Sequence, residues 1–462
     1  MAQLKEKPKP HLVPEYCKGC GRCVSVCVKG CIAFSDEINP LTGLIPVVLD
    51  LEKCTACGLC IEACPEPYGL RAMAQGEEFE LQDPAKLFGE KQSSAPAPKD
   101  IPNELVPLPE CQPLVIKGNY ASAIGAMLAG CRHMFGYPIT PSTEGAELMA
   151  KLLPKLQGHF LQAVSEVAAV NHMYGTAGAG LPTMTFTSSP GFSLMLEGVS
   201  YMIGADLPAV FVNVMRGGPG LGNIAPEQAD IKLACHGLGH GNTHAISLAP
   251  STPQEMLDLT MLAFELAFKY RSPVILLADG YLGQMTGKVQ LPSHLVKPGI
   301  PAWAVYGDRE HRGNLISSID LTEQDLEKRN ERLCAKYESM KSEARAESFL
   351  CDDAEILLVA CNTPARTSKG AVQNLRDMGI KAGLFRPITV WPFPVEQLKA
   401  HLPHIKKIVM VEASAGQLED ELRLNLSKAG VTQLPEITSI RRMGGMLPQQ
   451  ADVVAHVKSI AQ

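Results

Sequence analysis

The sequence predicts a multidomain protein in which a small cysteine-rich domain precedes two α/β domains. Its 462 residues are too many for one hydrophobic core and suggest about three domains. Nine of the 15 cysteines crowd into residues 17–64, which sets this region apart. Beyond residue 111, short β-rich apolar stretches bounded by Gly or Pro alternate with helical patterns, as in parallel sheets covered by helices.

Composition and charge exclude several classes of function. The net charge is −6 and 19% of the residues are charged, so the composition lacks the excess of basic residues that is typical of nucleic-acid-binding proteins. The N-terminus, MAQLKEKPKPHLVPEY, is charged and interrupted by proline, unlike a secretory signal, and no long uncharged apolar run predicts a membrane span. We therefore expect a cytoplasmic protein with no membrane partner, whose cysteines are reduced and bind a ligand.

The first element is a pair of cysteine runs with the same spacing. CKGCGRCVSVC (17–27) and CTACGLCIEAC (54–64) both have the pattern C-x2-C-x2-C-x3-C. This spacing is typical of iron–sulfur proteins in which three thiolates of one run bind one cluster while the fourth reaches the other cluster. Structural zinc is the alternative, although zinc sites usually pair two C-x2-C units.

The two runs resemble those of the bacterial two-cluster ferredoxins, which have a small α+β fold. The sequence departs from that pattern at Val28, where the family usually has proline, and at Cys31, an extra thiol that we expect to be a small buried side chain. Gly19, Gly21 and Gly58 are expected to let the backbone pass close to the clusters. The resemblance implies that Cys17, Cys20, Cys23 and Cys64 hold one 4Fe–4S cluster, and Cys54, Cys57, Cys60 and Cys27 the other.

The elements after the cysteine runs define the remaining segments. Residues 84–111 combine many prolines with Ser, Ala and Lys and have no helical or strand period, which predicts a linker. TMTFTS (183–188), AVFVNVM (209–215) and PVILLAD (273–279) predict buried strands, and residues 253–270 predict a helix between them.

A charged amphipathic helix is predicted over residues 322–347, after a capping box formed by Thr322 and Asp325. We expect it to pack on its own chain, with a coiled-coil dimer seam as the alternative. A second β/α rhythm starts at EILLVAC (355–361). The predicted segments are therefore a ferredoxin-like domain (1–83), a linker (84–111), an α/β domain (112–300), a helical connector (301–352) and a second, smaller α/β domain (353–462).

Three stretches of the first α/β domain carry a specific resemblance. GYPITPSTEGAE (136–147), LQAVSEVAAVNHMYGTAGAGLPTMTFTSSPGF (161–192) and NVMRGGPGLGNIAPEQADI (213–231) closely resemble the α-type subunit of the thiamine-diphosphate-dependent 2-oxoacid:ferredoxin oxidoreductases, especially the branched-chain 2-oxoacid and 2-oxoglutarate types. The resemblance continues through FRPITVWPFP (385–394) and VEASAGQLEDELR (411–423). It implies a thiamine pyrimidine-binding fold followed by a transketolase-C-terminal-like fold.

The resemblance implies CoA-dependent oxidative decarboxylation of a 2-oxoacid, with electrons leaving through the 4Fe–4S clusters to ferredoxin or another acceptor. Thiamine diphosphate would be shared with a β-type subunit that holds the diphosphate and Mg²⁺, and a γ-type subunit is expected too. The residues agree, because the one candidate diphosphate motif, Ala278-Asp279-Gly280, has no asparagine pair downstream. The alternatives are an electron-transfer adaptor or scaffold without a catalytic thiamine site, and an oxidoreductase for an aryl 2-oxoacid.

The same resemblance assigns roles to individual residues. Glu166 would bond N1′ of the pyrimidine ring, in apolar surroundings supplied by its neighbours between residues 164 and 169. Thr140 would contact the substrate's oxygens, and Arg216, at the end of an apolar strand, would clamp its carboxylate. Without the resemblance, Glu166 is a carboxylate at a helix start and Thr140 a turn residue. The implied catalytic residues are Glu166, Thr140 and Arg216, and the implied cofactor contacts are Glu166, Pro138, Ile139 and Gly191.

The stretch CHGLGHGNTH (235–244) superficially resembles a metal site because its three histidines are spaced by four residues. That spacing brings side chains together only on a helix, and three glycines in the stretch disfavour a helix. We expect a loop that lines the cofactor cleft instead.

Overall fold

The computed structural model describes residues 7–40, 42–66, 68–73 and 97–461, and the chain divides into two compact units, residues 1–94 and 95–462. In the first unit, two short helices carry the third cysteine of each run, Cys23 and Cys60, on their buried sides. Each helix begins after a glycine with positive φ, Gly21 or Gly58. The predicted α+β arrangement is confirmed. Its elements are β1 (Lys9–Leu12), a 3₁₀ turn (Pro14–Tyr16), α1 (Arg22–Val26), β2 (Ile32–Phe34), β3 (Val47–Leu49), α2 (Leu59–Ala63) and β4 (Leu70–Met73), with β1 antiparallel to β4 and β2 antiparallel to β3.

The second unit is built on two sheets. Seven strands form the larger one in the order β18-β11-β12-β10-β9-β7-β8, and five form the smaller one in the order β15-β17-β16-β19-β20. Two further two-stranded sheets pair β5 with β14 and β6 with β13. The strands are β5 (Glu104–Pro107), β6 (Leu114–Lys117), β7 (His133–Gly136), β8 (His159–Gln162), β9 (Thr183–Thr187), β10 (Ala209–Met215), β11 (Ile246–Leu248), β12 (Pro273–Asp279), β13 (Thr286–Val289), β14 (His294–Lys297), β15 (Ala346–Phe349), β16 (Ile356–Val359), β17 (Ala382–Pro387), β18 (Thr389–Trp391), β19 (Lys407–Glu412) and β20 (Glu436–Arg441).

Parallel pairing dominates both sheets, as the alternating sequence pattern predicts. In each sheet one edge strand is antiparallel, β18 in the larger and β15 in the smaller. The predicted strands β9, β10 and β12 are buried along their whole length, because helices cover both faces. The helices of the second unit are α3 (Gly118–Leu128), α4 (Thr143–Leu152), α5 (Glu166–Gly178), α6 (Ser189–Gly204), α7 (Ile231–His236), α8 (Pro253–Tyr270), α9 (Gly280–Gln284), α10 (Glu323–Met340), α11 (Asn362–Asp377), α12 (Val395–Lys399), α13 (Gln417–Lys428) and α14 (Gln450–Ile460), with 3₁₀ turns at Leu153–Leu156, Lys341–Glu343 and Leu402–His404.

The structure differs from three details of the sequence prediction. The segment expected to have no regular structure contains β5, which pairs with β14, while residues 84–96 lie outside the described residues. The predicted helix over residues 322–347 ends at Met340, although Thr322 caps it as expected by accepting the Asp325 N–H. The chain then forms β15, which pairs with β17 of the smaller sheet. The boundaries of the five predicted segments stay a prediction.

The chain from residue 382 to residue 391 is divided between the two sheets. Its first part is β17 of the smaller sheet, whereas Thr389–Trp391 pairs with β11 of the larger sheet. Buried apolar side chains of both sheets belong to one continuous core. The two sheets therefore pack together as one compact unit. Among the described residues, no helix is both long and apolar enough to cross a bilayer.

Candidate functional site

The first unit contains two cavities walled by cysteines. Cys17, Cys20, Cys23 and Cys64 line one cavity. The other is lined by Cys54, Cys57, Cys60 and Cys27, together with Cys31. The last cysteine of each run therefore contributes to the cavity of the other run. This crossing matches the two ligand sets that the ferredoxin resemblance implies.

The backbone around these cavities suits sulfur ligands. Amide N–H groups of Cys31 and Ala56 donate hydrogen bonds to Cys27 Sγ and Cys54 Sγ over 3.2 and 3.4 Å. The Cys31 amide lowers the pKa of the Cys27 thiol, because the hydrogen bond favours the thiolate. Gly19, with φ +63°, packs against the Ile45 carbonyl so closely that a side chain would not fit.

The geometry favours clusters over the zinc alternative. A zinc site draws four ligand atoms to about 2.0–2.3 Å from one ion. Among the described residues, no three Cys, His, Asp or Glu side chains converge closely enough to hold one metal ion. Two cavities, each lined by the four cysteines of one predicted ligand set, fit a polynuclear cluster better.

The second unit carries the predicted cofactor and substrate residues at the carboxyl edge of its larger sheet. Thr140 follows β7, Glu166 follows β8, Gly191 follows β9 and Arg216 follows β10. These four parallel strands are neighbours in the order β10-β9-β7-β8. In α/β folds, the crevice beyond the carboxyl ends of the strands is the usual place for ligands.

Glu166 is a buried carboxylate at the start of α5. Ser165 caps the helix by accepting the Ala168 N–H, and Glu166 itself is only 6% exposed. No hydrogen bond to the Glu166 carboxylate is present among the described residues, and neither of its oxygens is among the fully enclosed side-chain atoms that lack a partner, so the carboxylate group still reaches the surface at this edge. An unpaired buried carboxylate at this edge is suited to accept a hydrogen bond from a ligand.

The surroundings of Glu166 differ from those expected. Val164 and Val167 are 88% and 43% exposed and Ala168 is half-buried, so of the expected apolar neighbours only Ala169 is fully buried with it. Consecutive helix residues point about 100° apart, which turns Val167 away from the carboxylate. The carboxylate instead packs closely against Gly191 on α6. Sequence neighbours alone could not show this contact.

Gly191→Ala is expected to destabilise the fold. A Cβ at this position would lie 2.6 Å from Glu166 Oε1 and 2.5 Å from Thr187 Oγ1, so the carboxylate would have to move. Overpacking of this kind costs about 1–3 kcal/mol of unfolding free energy. Gly175→Ala on α5 is the control, because a Cβ there meets nothing within 4 Å and should be neutral or stabilising. Equal unfolding midpoints for the two variants would contradict the tight contact.

Arg216 and Thr140, both predicted from the sequence, lie in contact. Arg216 Nη1 donates to the Thr140 carbonyl oxygen at 2.8 Å, and Nη2 donates to the Leu221 carbonyl oxygen at 3.1 Å. Each Nη group keeps a second N–H for a ligand. The Thr140 side chain is exposed at the edge of the sheet, as is Pro138, and Ile139 is half-buried beside them.

A group of polar residues behind Arg216 was not predicted from the sequence. The Arg216 amide N–H donates to Ser189 Oγ at 3.1 Å, and Ser189 in turn hydrogen-bonds to Asp230. Asn213 Nδ2 donates to Asp230 Oδ2 at 2.8 Å. Burial raises the pKa of Asp230. The only signal in the sequence was a polar run, PEQAD, after the glycine-rich loop.

Glu227 and Gln228 tie that loop to the smaller sheet. Glu227 Oε2 accepts the N–H groups of Gly218 and Gly444, both at 3.2 Å. Gln228 Oε1 accepts the Ala413 N–H at 2.8 Å, and its Nε2 donates to the Cys361 carbonyl oxygen at 3.1 Å. These contacts fix the loop that follows Arg216.

Asp279 is held by structural hydrogen bonds at the end of β12, where it caps α9. Its Oδ1 accepts the Leu282 N–H at 2.9 Å and the Thr363 hydroxyl at 2.8 Å, and its Oδ2 accepts the Thr363 N–H at 2.9 Å. Burial raises the pKa of this fully enclosed carboxyl. Both oxygens are occupied, so Asp279 is not available to bind a diphosphate-linked metal ion.

The histidine-rich stretch forms neither a metal site nor the expected wall of the cofactor cleft. His236 ends α7 and pairs with Glu421 of α13 at 2.8 Å. His244 stacks on Trp391 with ring centroids 4.8 Å apart, while His240 contacts Ser200. The rings of His236 and His244 also meet edge to face, with centroids 6.1 Å apart. His236 and His244 therefore pack the loop on the C-terminal region, a contact that depends on residues distant in sequence.

Comparisons with known proteins match the whole layout. Residues 124–346 match the family model "Pyruvate flavodoxin/ferredoxin oxidoreductase, thiamine diP-bdg", residues 354–453 match "Pyruvate:ferredoxin oxidoreductase core domain II", and residues 16–67 match "4Fe-4S dicluster domain". These matches confirm the predicted order of folds.

The similar proteins are 2-oxoacid oxidoreductases or subunits of such enzymes. Ketoisovalerate oxidoreductase subunit VorB of Methanothermobacter marburgensis is 46% identical over 350 residues, covering 75% of this chain and 97% of that protein. 2-Oxoglutarate synthase subunit KorA of Methanocaldococcus jannaschii is 37% identical over 356 residues, covering 72% and 95%. The solved 2-oxoglutarate:ferredoxin oxidoreductase of Magnetococcus marinus, with 2-oxoglutarate, coenzyme A and succinyl-CoA bound, superposes with a TM-score of 0.68 at 26% identity, covering 76% of this chain and 66% of that one.

Proposed function

Because the chain belongs to the 2-oxoacid:ferredoxin oxidoreductase family, we propose that it is the α-type subunit of an enzyme that converts a 2-oxoacid and CoA to acyl-CoA and CO₂. Two electrons leave through iron–sulfur clusters in its N-terminal unit. The higher identity to a ketoisovalerate enzyme than to 2-oxoglutarate enzymes supports a branched-chain 2-oxoacid as the substrate. The reduced thiols that such clusters need support a cytoplasmic location.

The observation that carries this proposal is the unpaired buried carboxylate of Glu166 at the edge that also holds Thr140 and Arg216. Bound thiamine diphosphate supplies the carbon nucleophile for a 2-oxo group. Glu166 would hold a proton at N1′ of the pyrimidine ring, since its carboxylate has no hydrogen-bond partner among the described residues. Pro138, Ile139 and Gly191 border the space for the ring.

The substrate is held by Arg216 and Thr140. The free N–H groups of the guanidinium bind the carboxylate of the 2-oxoacid, and the Thr140 hydroxyl donates to one of its oxygens. Ser189 fixes the Arg216 backbone, which holds the guanidinium at the carboxyl end of β10. Glu227 and Gln228 keep the following loop from moving.

The N-terminal unit serves as the electron outlet. Each cavity holds a 4Fe–4S cluster, one on Cys17, Cys20, Cys23 and Cys64 and the other on Cys54, Cys57, Cys60 and Cys27. Such clusters accept one electron at a time and pass it to ferredoxin or another acceptor. Covalent fusion keeps this unit with the α-type chain through every turnover.

The thiamine site is completed by other subunits. Asp279 cannot bind Mg²⁺, since its oxygens are occupied within the fold. A β-type subunit therefore supplies the diphosphate and Mg²⁺ ligands, and a γ-type subunit completes the assembly. The relatives are themselves described as subunits, which supports a hetero-oligomer.

Calorimetric titration with thiamine diphosphate and Mg²⁺ tests this division of the site. The isolated chain should show no tight Mg²⁺-dependent binding, because it offers the pyrimidine ring a carboxylate but the diphosphate no metal ligands. The complex with the β-type subunit should bind the cofactor. Micromolar Mg²⁺-dependent binding by the chain alone would contradict the proposal.

A further inference from the structure

One of the two cysteine cavities contains a thiol more than a 4Fe–4S cluster needs. Cys27, Cys54, Cys57 and Cys60 line it as ligands, and Cys31 is the fifth cysteine on its wall. The other cavity is lined by four cysteines. Cys31 is only 5% exposed, so its thiol is enclosed with the ligands and shielded from solvent.

Cys31 lies directly beside Cys27. Residues 27–31 form a tight turn in which the Gly30 N–H donates to the Cys27 carbonyl oxygen at 3.0 Å and Gly30 has φ +62°. The Cys31 N–H donates to Cys27 Sγ at 3.2 Å, and the two side chains are in hydrogen-bonding contact. Cys31 also lines the same cavity as Cys54, Cys57 and Cys60 of the second run. Its thiol therefore lies beside Cys27 and shares a cavity with ligands from both runs.

Cys27 is also less constrained than its counterpart in the other cavity. Cys64, the last cysteine of the second run, precedes Pro65, and a proline restricts the backbone of the residue before it. Cys27 precedes Val28, which is 83% exposed and imposes no such restriction. The backbone at the ligand that has a spare thiol next to it therefore lacks the restriction that proline imposes on Cys64.

We propose that Cys31 is a reserve iron ligand, whose thiol replaces that of Cys27 when Cys27 dissociates or is removed. The inference rests on the proposed role of this cavity in holding a 4Fe–4S cluster. In the intact chain the exchange is balanced: the iron–sulfur bond to Cys27 breaks, a bond to Cys31 forms, and the proton of the Cys31 thiol passes to the Cys27 sulfur. No electron is transferred.

Iron and sulfide analysis with low-temperature EPR of the full chain, prepared anaerobically, tests the exchange. The parent, Cys31→Ala and Cys27→Ala chains should each hold two 4Fe–4S clusters, about eight iron atoms. Cys64→Ala is the matched control, since its cavity has no spare thiol. In Cys64→Ala and in the double variant Cys27→Ala/Cys31→Ala, one 4Fe signal should be lost or replaced by a 3Fe signal, and the iron content should fall.

Several results would overturn the proposal. One such result is that Cys27→Ala loses iron to the same extent as Cys64→Ala. Another is that the double variant keeps as much iron as Cys27→Ala. Failure of Cys27→Ala to fold, beside a folded Cys31→Ala chain, would also count against it, because a replaced ligand should preserve the cluster and the fold. A parent chain without clusters would instead refute the proposed electron outlet, so the two failures are distinguishable.

Discussion

A Glu166→Gln chain, reconstituted with its partner subunits, is expected to turn over 2-oxoacid about 100- to 10,000-fold more slowly than the parent, or about 3–5 kcal/mol of barrier. Glutamine keeps the shape of the side chain but cannot hold or release the proton at N1′. The loss should appear at deprotonation of the thiazolium C2, which hydrogen–deuterium exchange at that carbon measures directly. Assembly and cluster content should be unchanged.

Glu147→Gln provides the control for this substitution. Glu147 is an exposed carboxylate on α4 and has no assigned part in binding or catalysis. The control should show the same hydrogen–deuterium exchange at C2 and the same turnover of the 2-oxoacid as the parent. If Glu166→Gln does so too, Glu166 is only a structural carboxylate, and the chain is better explained as an electron-transfer adaptor without a catalytic thiamine site.

Arg216→Lys should raise the apparent KM for the 2-oxoacid by about 10- to 150-fold, the equivalent of a charged hydrogen bond of about 1.5–3 kcal/mol. Lysine keeps the positive charge but cannot hold the Thr140 and Leu221 carbonyl oxygens while also donating twice to a carboxylate. Because Arg216 contacts the substrate and not the pyrimidine ring, C2 exchange should survive.

Steady-state kinetics beside C2 exchange measures this difference. Arg132→Lys is a matched control, since Arg132 also donates to two backbone carbonyl oxygens, those of Met127 and Cys131, but has no assigned part in the site. An unchanged KM in Arg216→Lys would contradict the carboxylate clamp. Equal loss of C2 exchange and substrate affinity would mean that Arg216 acts on the cofactor.

Much of the fold could be predicted because its buried strands are short apolar runs with sharp ends. The bounds of β10, β12 and α8 match the predicted stretches residue for residue. The pairing of Thr389–Trp391 with β11 could not be predicted, because the division of residues 382–391 between two sheets depends on contacts between those sheets. The strand β5 was missed because its partner, β14, lies far along the chain.

The candidate site also contains residues that the sequence predicted and residues that it did not. Glu166, Thr140 and Arg216 occur in motifs of contiguous residues that can be recognised from the sequence alone. The structure places all three at one sheet edge. Asp230 and Gln228 act through partners elsewhere in the fold, such as Ala413, so no local pattern marks them. Glu166 fits against Gly191 because that residue has no side chain, a contact that only the packing of the two helices reveals.

Anaerobic reduction of methyl viologen, measured with a panel of branched-chain, aryl and dicarboxylic 2-oxoacids, tests the central claim most directly. The complex of this chain with its partner subunits should reduce the dye only when a 2-oxoacid and CoA are both present, most efficiently with a branched-chain 2-oxoacid, and the isolated chain should be inactive. Reduction by the isolated chain, or failure of every 2-oxoacid in the panel to support reduction by a complex that contains its clusters, would contradict the claim that this chain supplies half of a thiamine-dependent active site.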